Sequence, residues 1–140
     1  MLLREIIATG TYAAVIPTES TLALLRAWAD SNCIELDSDL HVTTLYSRKI
    51  VNVVPCPDEF VAAGVGFDKF GDSLVLKLSC PALVARHEQL IGQGGTHDYE
   101  SFVPHLTIQA KSALKPDGVP PIEFGLIFHR EYTEPLDESA

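Results

Sequence analysis

The chain predicts an α+β fold in one domain, residues 1–140, built as two pseudo-symmetric lobes with a cleft between them. Each lobe is expected to hold antiparallel strands with one helix packed on them. Three observations carry this reading. Apolar periodicity runs strand, helix, strand, hairpin, helix, strand, strand along the sequence. The tripeptide His-x-Thr occurs twice, in "LHVTTLYS" and "PHLTIQ", sixty-four positions apart. Each copy follows a helix and lies in a short β-branched, apolar run, the composition of a strand. The halves share this pattern and no sequence identity.

In chain order, residues 5–16 read as a strand interrupted or bulged at Gly10. Thr18 or Ser20 then offers an N-cap for a helix whose Leu22, Leu25, Trp28 and Ala29 recur at helical spacing. Trp28 is expected in the core. The acidic loop "SNCIELDSD" leads to the first His-x-Thr strand, and "SRKIVNVVPCPDEF", with two prolines, reads as a connection. "VAAGVGFDKFGDSLVLKLSC" predicts a hairpin around a Gly- and Asp-bearing turn. In it Leu74, Leu76 and Leu78 alternate with Val75 and Lys77, as in a half-buried strand. "PALVARHEQLIG" predicts the second helix, with Pro81 at its first position and Gly92 at its C-terminal cap. Leu83, Val84, His87, Leu90 and Ile91 share its buried face, which makes His87 a core or boundary histidine. A Gly-rich loop precedes the second His-x-Thr strand, "KPDGVPP" marks a turn, and "IEFGLIFHREY" is a final strand.

Bulk composition excludes several classes. A hydrophobic share of 46% and a charged share of 21% are ordinary for a globular protein. No apolar stretch approaches the roughly 20 residues that span a bilayer, and Arg4 and Glu5 interrupt the N-terminal apolar run. Cys33, Cys56 and Cys80 are odd in number and show no C-x-x-C spacing. They are expected to be reduced, buried thiols in a cytoplasmic protein. The net charge of −9 argues against long nucleic acid, which needs a basic stripe to neutralise phosphates. A small anionic ligand held by local donors is compatible with it, and so is a homo-oligomer.

Side chains two apart on a strand point the same way, so His41 stands beside Thr43 and His105 beside Thr107. Phosphodiester cleavage needs a base for the attacking oxygen, an acid for the leaving oxygen and donors for the charged oxygens. Histidine, which ordinarily titrates at about pH 6.5, serves as either acid or base near neutrality. Two histidines and two hydroxyls around one phosphate supply every role without a metal or cofactor. A single H-x-T arises by chance, and a lone strand histidine is ordinarily structural. The doubling of the motif carries the catalytic reading. A metal site is the weaker alternative, since the spacing of His97 and His105 matches no common zinc motif. Arg48 and Lys49 are either a solvated strand end or positive charge at the cleft rim.

Twin H-x-[ST] strands resemble the two-histidine phosphoesterase superfamily, which includes the RNA ligase-like cyclic phosphodiesterases. "GTYAAV", "LHVTTLYSRK", "PHLTI" and "EYTEPLD", in this order from Gly10 to Asp137, resemble one branch in particular. That branch is the phage anti-CBASS proteins, which destroy the cyclic oligonucleotide messengers of a bacterial antiviral defence. The resemblance implies that His41, Thr43, His105 and Thr107 are catalytic and that Tyr12 and Glu134 contact nucleobases. A tyrosine ring can stack on any base and a carboxylate can accept from an amino or imino edge. The family's tail continues past "EPLD" to an aromatic residue, whereas here "ESA" follows, so base stacking by the tail is not expected.

The leading expectation is therefore a metal-independent phosphodiesterase that opens 3'-5' bonds of cyclic di- or trinucleotides in the host cell. Two other readings stay open: a phosphodiesterase for RNA 2',3'-cyclic phosphate ends, and a non-catalytic cyclic-nucleotide sponge. Intact histidines in both motifs argue against the sponge, which needs neither acid nor base.

Overall fold

The computed structural model describes residues 9–97 and 101–136. The beginning of the strand expected over residues 5–16 and the "ESA" tail lie outside them. Six strands and two helices follow in the order β1 (Gly10–Pro17), α1 (Glu19–Ser31), β2 (Val42–Ser47), β3 (Phe60–Phe70), β4 (Ser73–Ser79), α2 (Pro81–Gly92), β5 (His105–Gln109) and β6 (Leu126–Leu136). The class is α+β. All strand pairings are antiparallel, in one sheet of order β2-β1-β6-β3-β4-β5. β3 is the shared strand: residues 60–62 pair with β6, and residues 63–70 pair with β4.

The helix signals translate directly into local structure. Thr18 caps α1, its hydroxyl accepting from the Thr21 N–H. The helix ends in a pair of reversed bonds, Cys33 N–H to Asp30 O and Ile34 N–H to Ala29 O, with Cys33 in the left-handed region at φ 54°. Cys33 is consequently exposed and Cys56 half-buried, so of the three thiols only Cys80 is buried. α2 runs through Gly92, and it is Gly94, at φ 106°, that takes the left-handed position after its end. The hairpin turn falls at Gly71, whose φ of 62° suits the first position of a two-residue turn.

Leu25 and Ala29 of α1 and Leu83 of α2 join Val15, Leu76, Leu106 and Phe128 in the main core. Trp28 stacks on Phe67 at this core's margin, ring centroids 5.7 Å apart. Leu90 closes a smaller cluster with Ala13, Leu45 and Val51. β4 is buried more completely than its leucine alternation implies, because Val75 is enclosed on the opposite face as well.

Four irregularities bend the sheet. Ala13 pairs with Leu45 and Ala14 with Thr43, so Thr44 is an extra residue in β2. Ala14 pairs with Tyr132 and Ile16 with His129, leaving Arg130 and Glu131 opposite Val15 alone, with Arg130 at φ 53°. A further shift lies between Gly64 and Gly66 in β3, and a fourth in β5, where Leu74 pairs with Gln109 and Val75 with Thr107, so Ile108 is an extra residue. Bulges raise the natural twist of a sheet. Here the two edge strands, β2 and β5, come round to meet each other. Gly10, expected at a bulge, lies in regular pairing with Leu136. It is needed for a different reason: a Cβ there would stand 1.9 Å from the Ser47 carbonyl oxygen.

Candidate active site

The cleft between β2 and β5 takes in one residue of each motif, Thr43 and His105, while His41, Thr107, Tyr12 and Glu134 are not among its lining residues. A cavity of about 830 Å³ is lined by Thr43, Leu45 and Tyr46 of β2 and by Val103 and His105 at the start of β5. Phe70, Gly71, His87, His97 and Phe102 complete its wall, with Arg48 at one side. This volume falls within the usual range for a small-molecule site.

The two histidines are set in the same way. The His41 Nδ1 lies 2.9 Å from the Asp39 carbonyl oxygen, and the His105 Nδ1 lies 2.9 Å from the Val103 carbonyl oxygen. A carbonyl only accepts, so each Nδ1 carries a proton and donates it. Each Nε2 is then an acceptor in the neutral ring and a donor in the charged one. An aromatic ring stands edge-on to each imidazole. Tyr12 lies 6.1 Å from His41 and Phe70 lies 4.8 Å from His105, centroid to centroid.

Tyr12 organises the first motif. Its hydroxyl lies 3.0 Å from the Thr43 Oγ1. Burial pushes its phenol up to about 12, and the neighbouring Tyr132 and Glu134 add to the rise, while the Thr43 hydrogen bond lowers it. The phenol is therefore neutral at physiological pH. Register places Tyr12 between Tyr46 on β2 and Glu134 on β6. Ala14, two residues on, lies between Thr43 and Tyr132. Period-2 alternation puts these residues on one face, so the two residues assigned to base contact by resemblance, Tyr12 and Glu134, are neighbours there. Tyr132 also has its phenol raised, chiefly by burial and then by Asp39 and Glu134.

In the second motif His105 and Thr107 alternate with fully buried Leu106 and Ile108. The register sets His105 opposite Lys77 and Thr107 opposite Val75. Lys77, which the sequence marks only as an alternating strand residue, is thus the cross-strand neighbour of His105, with its Nζ 3.6 Å from an Asp68 carboxylate oxygen on β3. Only the cross-strand register reveals this.

Sequence reasoning also missed a buried polar cluster behind β2. Arg86 of α2 donates through Nε and Nη2 to Glu131 of β6 at 2.5–3.1 Å. Glu131 also accepts from the Thr44 hydroxyl and the Cys56 backbone N–H, both at 3.0 Å. Arg86 is 8% exposed and Glu131 5%. Hydrogen bonding to this carboxylate holds the guanidinium pKa above its ordinary value. His87, expected in the core or at its boundary, is buried, with its Nδ1 donating to the Thr44 carbonyl at 2.8 Å. It stacks on Phe102 with centroids 4.0 Å apart, and His97 meets it edge-on. Burial lowers the His87 pKa. The charge pairing of Arg86 leaves one trace in the sequence, a lone arginine on an otherwise apolar helix face.

Among the described residues no three His, Cys, Asp or Glu side chains group as metal ligands, and no helix is long and apolar enough to cross a membrane. Of the rim cations, Arg48 lines the cavity and Lys49 does not.

Comparison with known proteins agrees with the landmarks in the sequence. Residues 9–140 match the family described as anti-CBASS protein Acb1. A relative of that name from Vibrio phage KVP40 is 45% identical over 137 residues, covering 91% of this chain and 88% of the relative. Those from Enterobacteria phage T4 and Salmonella phage S16 are 32% and 33% identical over 139 residues, with 92% and 90% coverage in each case. The chain belongs to the anti-CBASS protein Acb1 family.

Proposed function

We propose that this protein is a phage phosphodiesterase that counters CBASS defence in the host cell by opening 3'-5' bonds of cyclic di- or trinucleotide signals. The observation that carries the reading is the matched pair of histidines. Both have Nδ1 committed to a carbonyl two residues back, and both precede by two residues a threonine on the same face. The two halves of the sheet then correspond to the paired lobes of a two-histidine phosphoesterase, joined through β3.

In this scheme the ribose 2'-hydroxyl is the nucleophile, tethered beside the scissile phosphate. One neutral histidine takes its proton through Nε2 as the O2'–P bond forms. The other, protonated, gives its Nε2 proton to O5' as the P–O5' bond breaks. The product is a linear nucleotide ending in a 2',3'-cyclic phosphate. Thr43 and Thr107 hold the non-bridging oxygens and stabilise the charge that grows on them. Either hydroxyl of the Tyr12–Thr43 pair can donate, and in this scheme Tyr12 does, which leaves the threonine's own proton for the phosphate. Tyr12 and Glu134 together read one base, the ring by stacking and the carboxylate by accepting from an amino or imino edge.

Incubation with a panel of cyclic oligonucleotides, and with a linear RNA bearing a 2',3'-cyclic phosphate end, in excess chelator, tests this. Linear products from the cyclic substrates alone support the proposal. Cleavage of the RNA end alone, binding without any product, or activity lost to chelator and restored by zinc or manganese would each replace it.

A further inference from the structure

Thr44 sits one residue beyond Thr43, on the opposite face of β2, and is the extra residue of the bulge. It has no partner residue on β1 to fix it. Two side chains from elsewhere hold it instead. Its hydroxyl donates to Glu131 Oε2 at 3.0 Å, and its carbonyl accepts from His87 Nδ1 at 2.8 Å. Glu131 is fixed in turn by Arg86, and Arg86 also donates to Gln89 at 2.8 Å and to the Val54 carbonyl at 2.8 Å. Glu131 lies in the second bulge, on β6, next to Tyr132. The two bulges therefore face each other across β1 at Ala14 and Val15, locked by one buried carboxylate. On the other face of the same residues stand Thr43, which lines the cleft, and Tyr12, which contacts both Thr43 and Tyr132.

From this juxtaposition we infer that Thr44, Glu131, Arg86 and His87 form a positioning network for the first motif. By pinning the bulge at Thr44 it sets the direction of Thr43 and the Tyr12–Thr43 hydrogen bond, and of its members only His87 reaches the cavity wall. The network aims one hydroxyl; it does not supply the acid or the base. The inference rests on the reading that Thr43 grips the scissile phosphate. A bulge is a natural device for re-aiming a side chain beside an active site. A buried charge pair satisfied by further hydrogen bonds is rigid enough to hold it.

The test replaces Thr44, because removing Glu131 or Arg86 would leave a buried charge unpaired and threaten the fold itself. Thr44→Val keeps shape and removes the donor, Thr44→Ser keeps the donor, and Thr44→Ala, run beside them, covers the case in which a methyl crowds the carboxylate. Single-turnover rates are measured on a 3'-5'-linked cyclic purine dinucleotide, and affinity on its 2'-deoxy form, which lacks the nucleophile. Crystal structures of wild type and Thr44→Val give the distance from Tyr12 Oη to Thr43 Oγ1. We expect Thr44→Val and Thr44→Ala to slow turnover roughly 10- to 100-fold, the scale of a small misplacement of a reacting group. Affinity should stay near the wild-type value, Thr44→Ser should recover the rate, and the 3.0 Å contact should be lost in Thr44→Val. Wild-type turnover without the Thr44 hydroxyl, a Thr44→Ser variant as slow as Thr44→Val, or an unchanged Tyr12–Thr43 contact would each overturn the inference. Failure of the wild type to cleave any cyclic di- or trinucleotide would sink the proposed function alone. The crystallographic distance would still decide whether Thr44 sets the geometry.

Discussion

The two motif strands carry the same histidine arrangement on different foundations. Around β5 the support is apolar: Leu106 and Ile108 are fully buried, and the ring edge-on to His105 is Phe70. Around β2 it is polar: Thr44, Glu131, Arg86 and His87 form a buried network, and the ring beside His41 is a tyrosine bonded to Thr43. A backbone carbonyl two residues back is common to both histidines, and it lies within the local sequence. The ring tautomer is thus set locally, whereas the aim of each threonine is set by tertiary structure. Hydrophobic packing can place a strand to within its own looseness, while hydrogen bonds with fixed directions can aim a single hydroxyl.

The sharpest way to break the contrast is Arg86→Ala. It should lower unfolding free energy by about 3–5 kcal/mol, because Glu131 is left buried without its counter-charge. Leu106→Ala, in the apolar support, should cost about 2–5 kcal/mol through transfer and cavity terms. Denaturant titration measures both. What separates them is the turnover of folded protein in low denaturant, which Arg86→Ala should depress through Thr43. A stability change for Arg86→Ala below about 1 kcal/mol, typical of an exposed pair, would mean that the network is not held as described.

A smaller effect comes from Tyr12→Phe, which removes one hydrogen bond and keeps the ring. The loss should be roughly 0.5–1.5 kcal/mol of transition-state stabilisation, the ordinary net worth of such a bond. In a Thr43→Ala background the same change should add almost nothing, since contacting residues are non-additive. Single-turnover rates of the two single variants and the double variant give the answer. Full additivity would detach Tyr12 from Thr43.

The smallest effect is a pH dependence. Burial lowers the His87 pKa below its ordinary value. The unfolded state therefore binds this proton more readily than the folded state. Stability from His87 is complete above the unfolded pKa of about 6.5 and declines as pH falls towards the folded one, by less than about 1.4 kcal/mol per pH unit. Wild type should lose more stability than His87→Asn between pH 7.5 and pH 5.5 in parallel denaturation curves. Equal losses would mean that His87 does not titrate as its burial demands.

Most elements were legible because their signals are local. The cap at Thr18, the proline that opens α2, the hairpin at Gly71 and both His-x-Thr runs need only neighbouring residues to be read. The final strand begins later than the apolar pattern predicts, at Leu126, and runs on to Leu136, since "PPIEFG" has apolar residues but no pairing partner. The strand order, the meeting of β2 with β5 and the bulges on β2 and β6 were not legible, because each depends on which distant strand lies alongside. Arg86 and Glu131 are forty-five positions apart, and Lys77 meets His105 only across the sheet. The candidate histidines could be found from a repeated tripeptide. The groups that aim the threonines could not.

The claim on which the rest depends is that His41 and His105 act on one phosphate. Single-turnover cleavage of a 3'-5'-linked cyclic dinucleotide by His41→Ala, His105→Ala and the double variant measures this directly. Each single change should cost on the order of 10² to 10⁴ in rate, and the double variant should be scarcely slower than either, because acid and base serve the same step. Losses that multiply in the double variant, or either single variant turning over at the wild-type rate, would contradict a shared phosphate.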